Sequence, residues 1–273
     1  MGAQKYIKKY LADVKRECAL TLLSLHKKAN VGHIGSSLSC LDILVYLHFF
    51  KMLPEDKFIL SKGHAATALY TVLAKNGKID PKQLNSFHKN GTMLAAHPPT
   101  NATHKRLNGI TFGTGSLGHG LPLAAGMALS AKFTRQKFNV YCVLSDGDCN
   151  EGSTWEAAMF ANHHNLNNLV AIIDNNGLQG FGKTKEVLNL EPLKTKWASF
   201  GFDVVGADNG NDLDSLNEAF SSLDLEKSKK PKCIIAKTAK GSGVSFMEHR
   251  LEWHYLPMTD EQYKSAKLEI ENA

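Results

Sequence analysis

The sequence predicts an α/β fold, a three-layer sandwich with a mainly parallel central sheet and helices on both faces. Three runs, "NVYCVLS" (139–145), "NLVAIID" (168–174) and "KCIIAKT" (232–238), are short and almost wholly aliphatic or β-branched, as strands covered on both faces must be. Helical "STWEAAMFANHHN" lies between the first two, which makes a strand–helix–strand unit. Each run exits into a polar or glycine-rich loop: Asp146-Gly147-Asp148-Cys149-Asn150-Glu151-Gly152, Asn175-Asn176-Gly177 and "AKGSG". Open α/β sheets bind ligands at that end.

The other elements follow in order. Ile7, Leu11, Val14, Cys18, Leu22 and Leu25 recur at helical spacing and predict a helix to about His26. "ANVGHIGSS" is turn-prone, and "SCLDILVYLHFF" reads as a buried helix with Ser39 as its cap. "DKFILSKGH" is a short strand entering a glycine turn, and "AATALYTVLAKNG" a helix closed by Gly77.

A chain of 273 residues, 43% hydrophobic and 21% charged, fits one domain over 1–273 with a substantial core. Its net charge of +6 comes from scattered lysines. The one dense run, Lys227 to Lys232, reads as a solvated turn, so no nucleic-acid partner is expected. Five cysteines without a C-x-x-C pair predict reduced thiols and a cytoplasmic protein, with Cys142 and Cys233 in the core. The lysine-rich N-terminus reads as neither signal nor anchor, and no apolar run is long enough to span a membrane.

"FGTGSLGHGLPLAAG" (112–126) contains Gly113-x-Gly115-x-x-Gly118. A dinucleotide fingerprint requires a strong strand before the first glycine and a single carboxylate ending the next strand. "KRLNGITF" is weakly strand-like, and the next strand ends in Asp146, Asp148 and Glu151, so a nicotinamide dehydrogenase is discounted. Asp146 and Asn176 end neighbouring strands and offer hard oxygens that suit Mg²⁺, or Ca²⁺, with phosphate oxygens completing the shell. Taken alone, the same residues also read as helix caps and a turn.

Asp146-Gly147, then 27 residues, then Asn175-Asn176 resembles the thiamine diphosphate signature. "GHIGSSLS" with His33, "LSKGHAATALY" with His64, "AAHPP" with His97, "TGSLGHG" and "KGSGVSFMEHRLEWH" with His254 together resemble the N-terminal, diphosphate-binding half of a transketolase. The resemblance covers nearly the whole chain. It implies the thiamine-diphosphate-binding fold, Mg²⁺ held by Asp146, Asn176 and the carbonyl of Leu178, and cofactor contacts from His64, Gly115, Ser116, Leu117, Gly147 and His254. It also implies that His33, His97 and His254 serve proton transfer near the reacting carbons, and that Glu151 links paired sites across a dimer. The bland reading of Glu151 is a carboxylate at a helix N-terminus.

The pyrimidine-binding and C-terminal domains of single-chain members are absent from this sequence. The resemblance therefore implies the N-terminal subunit of a split transketolase, active in a heterotetramer with a separate C-terminal partner chain. Its reaction would transfer a two-carbon ketol unit from a ketose, phosphorylated or otherwise, to an aldose, with the cofactor as electron sink. Ser145, His119 and Tyr255 depart from the usual Gly, Gln and Gly, which leaves a specialised sugar pathway open beside the pentose phosphate route. The rival readings are a deoxyxylulose-phosphate synthase, part of a keto-acid dehydrogenase, or a non-catalytic cofactor-holding subunit. His26, His48, His88, His104, His163, His164 and His249 read as structural.

Overall fold

A computed structural model describes residues 2–100, 107–223, 225 and 227–273. Its strands, β1 (Lys57–Leu60), β2 (Val140–Ser145), β3 (Leu169–Asn175), β4 (Asp203–Ala207) and β5 (Lys232–Lys237), form one sheet in the order β1-β2-β3-β5-β4, with every pair parallel. The helices are α1 (Gly2–Ala29), α2 (Ile34–Ser39), α3 (Leu41–Tyr46), α4 (Ala66–Lys75), α5 (Gly120–Phe133), α6 (Gly152–His163), α7 (Thr184–Val187), α8 (Leu193–Ser199), α9 (Leu213–Ser222) and α10 (Asp260–Glu271).

Strand alternation divides the core in two. Tyr141, Val143, Val170, Ile172, Ile234 and Ala236 face one layer with α1 to α4, α9 and α10. Val140, Cys142, Leu144, Leu169, Ala171, Ile173, Cys233 and Ile235 face the other, packed by α5, α6 and α8. Successive residues of a strand point to opposite faces, so a strand buried on both must be apolar throughout. The predicted three-layer sandwich is the observed one, and Cys142 and Cys233 lie fully buried in it.

Some local expectations need correction. The turn-prone stretch becomes helix from Ile34 onward, because Ile34 and Leu38 are buried in the core and His33 adopts φ 67° at the preceding cap. Ser39 ends α2 and does not cap α3; its hydroxyl donates to the buried carboxylate of Asp174. The single helix expected over 39–50 is α2's last residue, α3 and a π turn at Leu47–Lys51. Lys232 is not part of a solvated turn: it is fully buried at the start of β5, donating to the carbonyls of Asn167 and Ser228. Among the described residues no helix is long and apolar enough to cross a membrane.

The loops at the carboxyl ends of the strands are held by Asp148. Its buried carboxylate accepts from Ser61 Oγ (2.5 Å), Gly118 N (2.8 Å), Ser145 N (2.7 Å) and Ser145 Oγ (2.8 Å), joining the exits of β1 and β2 to the glycine loop. The serine at 145 is thereby absorbed as a hydrogen-bonding partner within the loop. Asp148→Ala orphans two buried backbone N–H groups and should cost about 2–5 kcal/mol of unfolding free energy in urea titration. A change below about 1 kcal/mol would contradict this role.

Candidate active site

A cavity of about 250 Å³ opens where β1, β2, β3 and β5 end. Its lining includes His33, His64, His97, His254, Gly115, Leu117, Asp146, Gly147, Asn176 and Leu178. All but two of the candidate residues read from the sequence thus meet in one place. Ser116 and Glu151 are the two outside: both are exposed, Glu151 at the N-terminal end of α6. Gly118 turns with φ +80° against Glu151, where a Cβ would lie 2.4 Å from the Glu151 Cβ. Of the histidines read as structural, His26 and His48 are buried in or beside the core, none lines the cavity, and His104 lies outside the described residues.

Each imidazole is placed by backbone. His33 caps α2 in the left-handed region, and its N–H donates to the His254 carbonyl at 3.0 Å. His64 sits in a single 3-10 turn after β1, and the carbonyl of His97 accepts from the Tyr70 hydroxyl at 3.0 Å. Ring centroids of His33 lie 4.9 Å from His254, 5.6 Å from His64 and 6.3 Å from His97.

Their charge state differs from the near-neutral titration expected for loop histidines. Burial, then His97 and two lysines, lowers His33 to about 4. Burial, then Lys240 and His33, lowers His254 to about 3, while burial takes His64 well below the usual value and lowers His97. Clustered, desolvated imidazoles near ammonium groups are neutral at physiological pH.

Lysines are what sequence reading missed here. Lys62, fully buried, pairs with Asp174 and donates to the Ser36 carbonyl at 3.0 Å. Burial opposes its charge, but Asp174, aided by Cys40 and Asp146, raises its pKa. Lys240 is 1% exposed, and burial followed by Lys62 lowers it to about 8. Nothing in "SKGH" or "AKGSG" signals buried ammoniums. Only the position of both lysines just beyond strand ends could have pointed to them.

The donor set fits a hard dication. Asp146 is 1% exposed, yet among the described residues its carboxylate accepts only from Gly147 N at 3.1 Å and Thr184 Oγ1 at 2.6 Å, and burial raises it to about 6. Among the described residues the Asn176 side-chain oxygen takes only the Leu178 N–H at 3.0 Å, leaving a lone pair available. A buried carboxylate, an amide oxygen and a nearby carbonyl suit Mg²⁺ whose remaining ligands come from phosphate. The hydroxyl of Ser36, which lines the cavity, is buried without a partner among the described residues, as expected of a group kept for a ligand.

At the mouth, the Tyr255 hydroxyl donates to the Gly180 carbonyl at 2.7 Å, closing the 177–183 hairpin over the cavity. Phe181 at its tip is 87% exposed, so the rim is aromatic.

The family model described as "Transketolase, thiamine diphosphate binding domain" matches residues 9–271. The chain is 40% identical over 258 residues to a subunit of the apulose-4-phosphate transketolase of Phocaeicola vulgatus, covering 91% of this chain and 89% of that protein. It is 37% identical to a 6-deoxy-6-sulfo-D-fructose transketolase subunit of Clostridium sp., covering 99% and 98%. Among solved structures it resembles the Campylobacter jejuni transketolase with a TM-score of 0.83 and 30% identity, covering 95% of this chain but 43% of that one.

Proposed function

Because the chain belongs to the transketolase family, as its thiamine diphosphate binding domain, we propose that it is the N-terminal subunit of a split transketolase moving a two-carbon ketol unit from a ketose to an aldose. The observation that carries this reading is the convergence of four histidines and the Asp146–Asn176 pair on one cavity at the strand ends.

Thiamine diphosphate, when bound, supplies the carbanion and electron sink that allow the carbon–carbon bond next to a carbonyl to break and re-form. The chain's own residues bind and orient. Asp146, Asn176 and the Leu178 carbonyl would hold Mg²⁺, with Ca²⁺ as a substitute, which would neutralise and anchor the diphosphate. Gly147, Gly115 and Leu117 flank the cofactor, with Ser116 on the same loop outside the cavity and His64 and His254 beside it. His33, His97 and His254 orient the sugar's carbonyl and hydroxyls near the reacting carbons, His254 as a hydrogen-bond donor and His33 and His97 as the proton acceptors. Glu151, outside the cavity, faces the second copy's site.

A C-terminal subunit with the pyrimidine-binding domain completes the site, two copies of each forming a heterotetramer in the cytoplasm. Two relatives are themselves named as subunits, which supports a two-chain enzyme. Their named sugars are ketoses carrying an anionic group, so a ketose with an anionic terminus is the donor class proposed here, entering past Tyr255 and Phe181. No nucleic acid and no membrane takes part.

The test is a transfer assay on the complex with thiamine diphosphate, Mg²⁺, a panel of phosphorylated and sulfonated ketoses, and an aldose acceptor. An aldose lengthened by two carbons is the expected product. Decarboxylation of keto acids without any ketol transfer would assign the chain to a different thiamine enzyme.

A further inference from the structure

We infer that Lys240 is a positioning residue that fixes the His254 imidazole in its Nε2–H form, so that His254 presents the ligand with a hydrogen-bond donor and cannot serve there as a base. The catalytic consequence rests on the ketol-transfer reading above; the tautomer does not.

Lys240 Nζ lies 2.9 Å from His254 Nδ1, its one hydrogen-bond partner among the described residues. An ammonium has three donors and no acceptor, so Nδ1 must supply the lone pair and the ring proton sits on Nε2. That nitrogen points into the cavity: a Cβ built on Gly180, across the mouth, would come within 3.3 Å of it. Nε2 itself has no protein partner among the described residues.

The contact is fixed from both sides. The Lys240 stem crosses Gly35, where a Cβ would lie 3.2 Å from its Cγ, and the Gly241 N–H donates to the Gly35 carbonyl at 2.9 Å. On the other side the His254 carbonyl accepts from His33 N at 3.0 Å. With Lys240 buried and its neighbour His254 lowered to about 3, a charged lysine facing a neutral ring is the state at neutral pH. The rings of His33 and His97 make no protein hydrogen bond among the described residues, so proton acceptance from the sugar falls to them.

Ring-¹⁵N histidine spectra of the chain alone read the tautomer, with the His254 signals assigned by their loss in His254→Gln. A protonated Nε2 and a bare Nδ1 are expected at neutral pH, moving to a mixture of both forms in Lys240→Met. An Nδ1–H form in the parent chain, or the same tautomer in Lys240→Met, overturns the inference. In the complex, Lys240→Met should lower kcat by about 10–100-fold, as loss of a group that orients a ligand-binding histidine does, with partial return in Lys240→Arg. Unchanged kcat and KM would overturn the catalytic half. His254→Gln, whose amide N–H reaches the Nε2 position, should retain far more transfer than His254→Ala; equal losses would mean that the ring must take a proton. A complex that shows the expected tautomer but transfers no ketol unit would leave the geometry standing and remove the functional reading.

Discussion

Replacing Asp146 with alanine is expected to abolish Mg²⁺-dependent binding of thiamine diphosphate, a loss of more than about 100-fold, while leaving the fold intact. Groups that merely orient a metal ligand cost 10–100-fold when removed, and in the proposed site Asp146 would offer the metal its one carboxylate. The fold survives because Asp148, and not Asp146, ties the strand exits together. Asp146 is also a carboxylate whose burial is uncompensated, raising it from 3.8 to about 6. A raised folded pKa means that the metal-free chain is favoured by the neutral form at low pH and loses that stability as pH climbs through about 6. Mg²⁺ and the proton compete for the same oxygens, so Mg²⁺-dependent affinity should fall as pH drops through about 6, well above the ordinary aspartate range. Calorimetric titration with and without Mg²⁺ measures both effects; retained Mg²⁺-dependent binding in the alanine variant would refute the metal assignment.

Lys62→Met should be the most damaging single change to stability near the cavity. Asp174 is fully buried, and Lys62 is its one ion-pair partner among the described residues, with Ser39 and Thr238 adding neutral donors. Removing one partner leaves an uncompensated buried charge, a cost of about 3–5 kcal/mol, which at this chain length lowers Tm by roughly 10 °C. The double variant Lys62→Met with Asp174→Asn removes the stranded charge while its amide oxygen accepts from one hydroxyl and its amide N–H donates to the other, and should recover most of the loss. A single variant within about 1 kcal/mol of the parent, or no recovery in the double, would show that the pair contributes little.

Residues whose roles are written in local pattern were legible before the structure. Three of the five strands declared themselves as unbroken aliphatic runs because both faces are buried, and β1 by its run into a glycine turn. β4 was missed because it is an edge strand with three half-exposed residues, an exposed Gly206 and only Ala207 buried, which carries no clean alternation. His33, His64 and His97 were found because each sits beside glycine or proline and matches a family motif, and His254 by its motif alone. Lys62, Lys240 and Ser36 were not, since a buried lysine or serine looks in sequence like any exposed one, and only the convergence of three loops desolvates it. Of the three departures, Ser145 and Tyr255 line the cavity, Ser145 with its hydroxyl bonded to Asp148 and Tyr255 with its hydroxyl on the Gly180 carbonyl at the mouth, while His119 is exposed outside the lining.

The most direct measurement is ketol transfer by this chain alone and by this chain mixed with a C-terminal transketolase subunit, each with thiamine diphosphate, Mg²⁺, an anionic ketose donor and an aldose acceptor. No transfer by the chain alone is predicted, and transfer in the mixture, lost again when the chain carries Asp146→Ala. Transfer by the chain alone, or none from a stable complex that binds the cofactor across the whole donor panel, would contradict the split-enzyme reading.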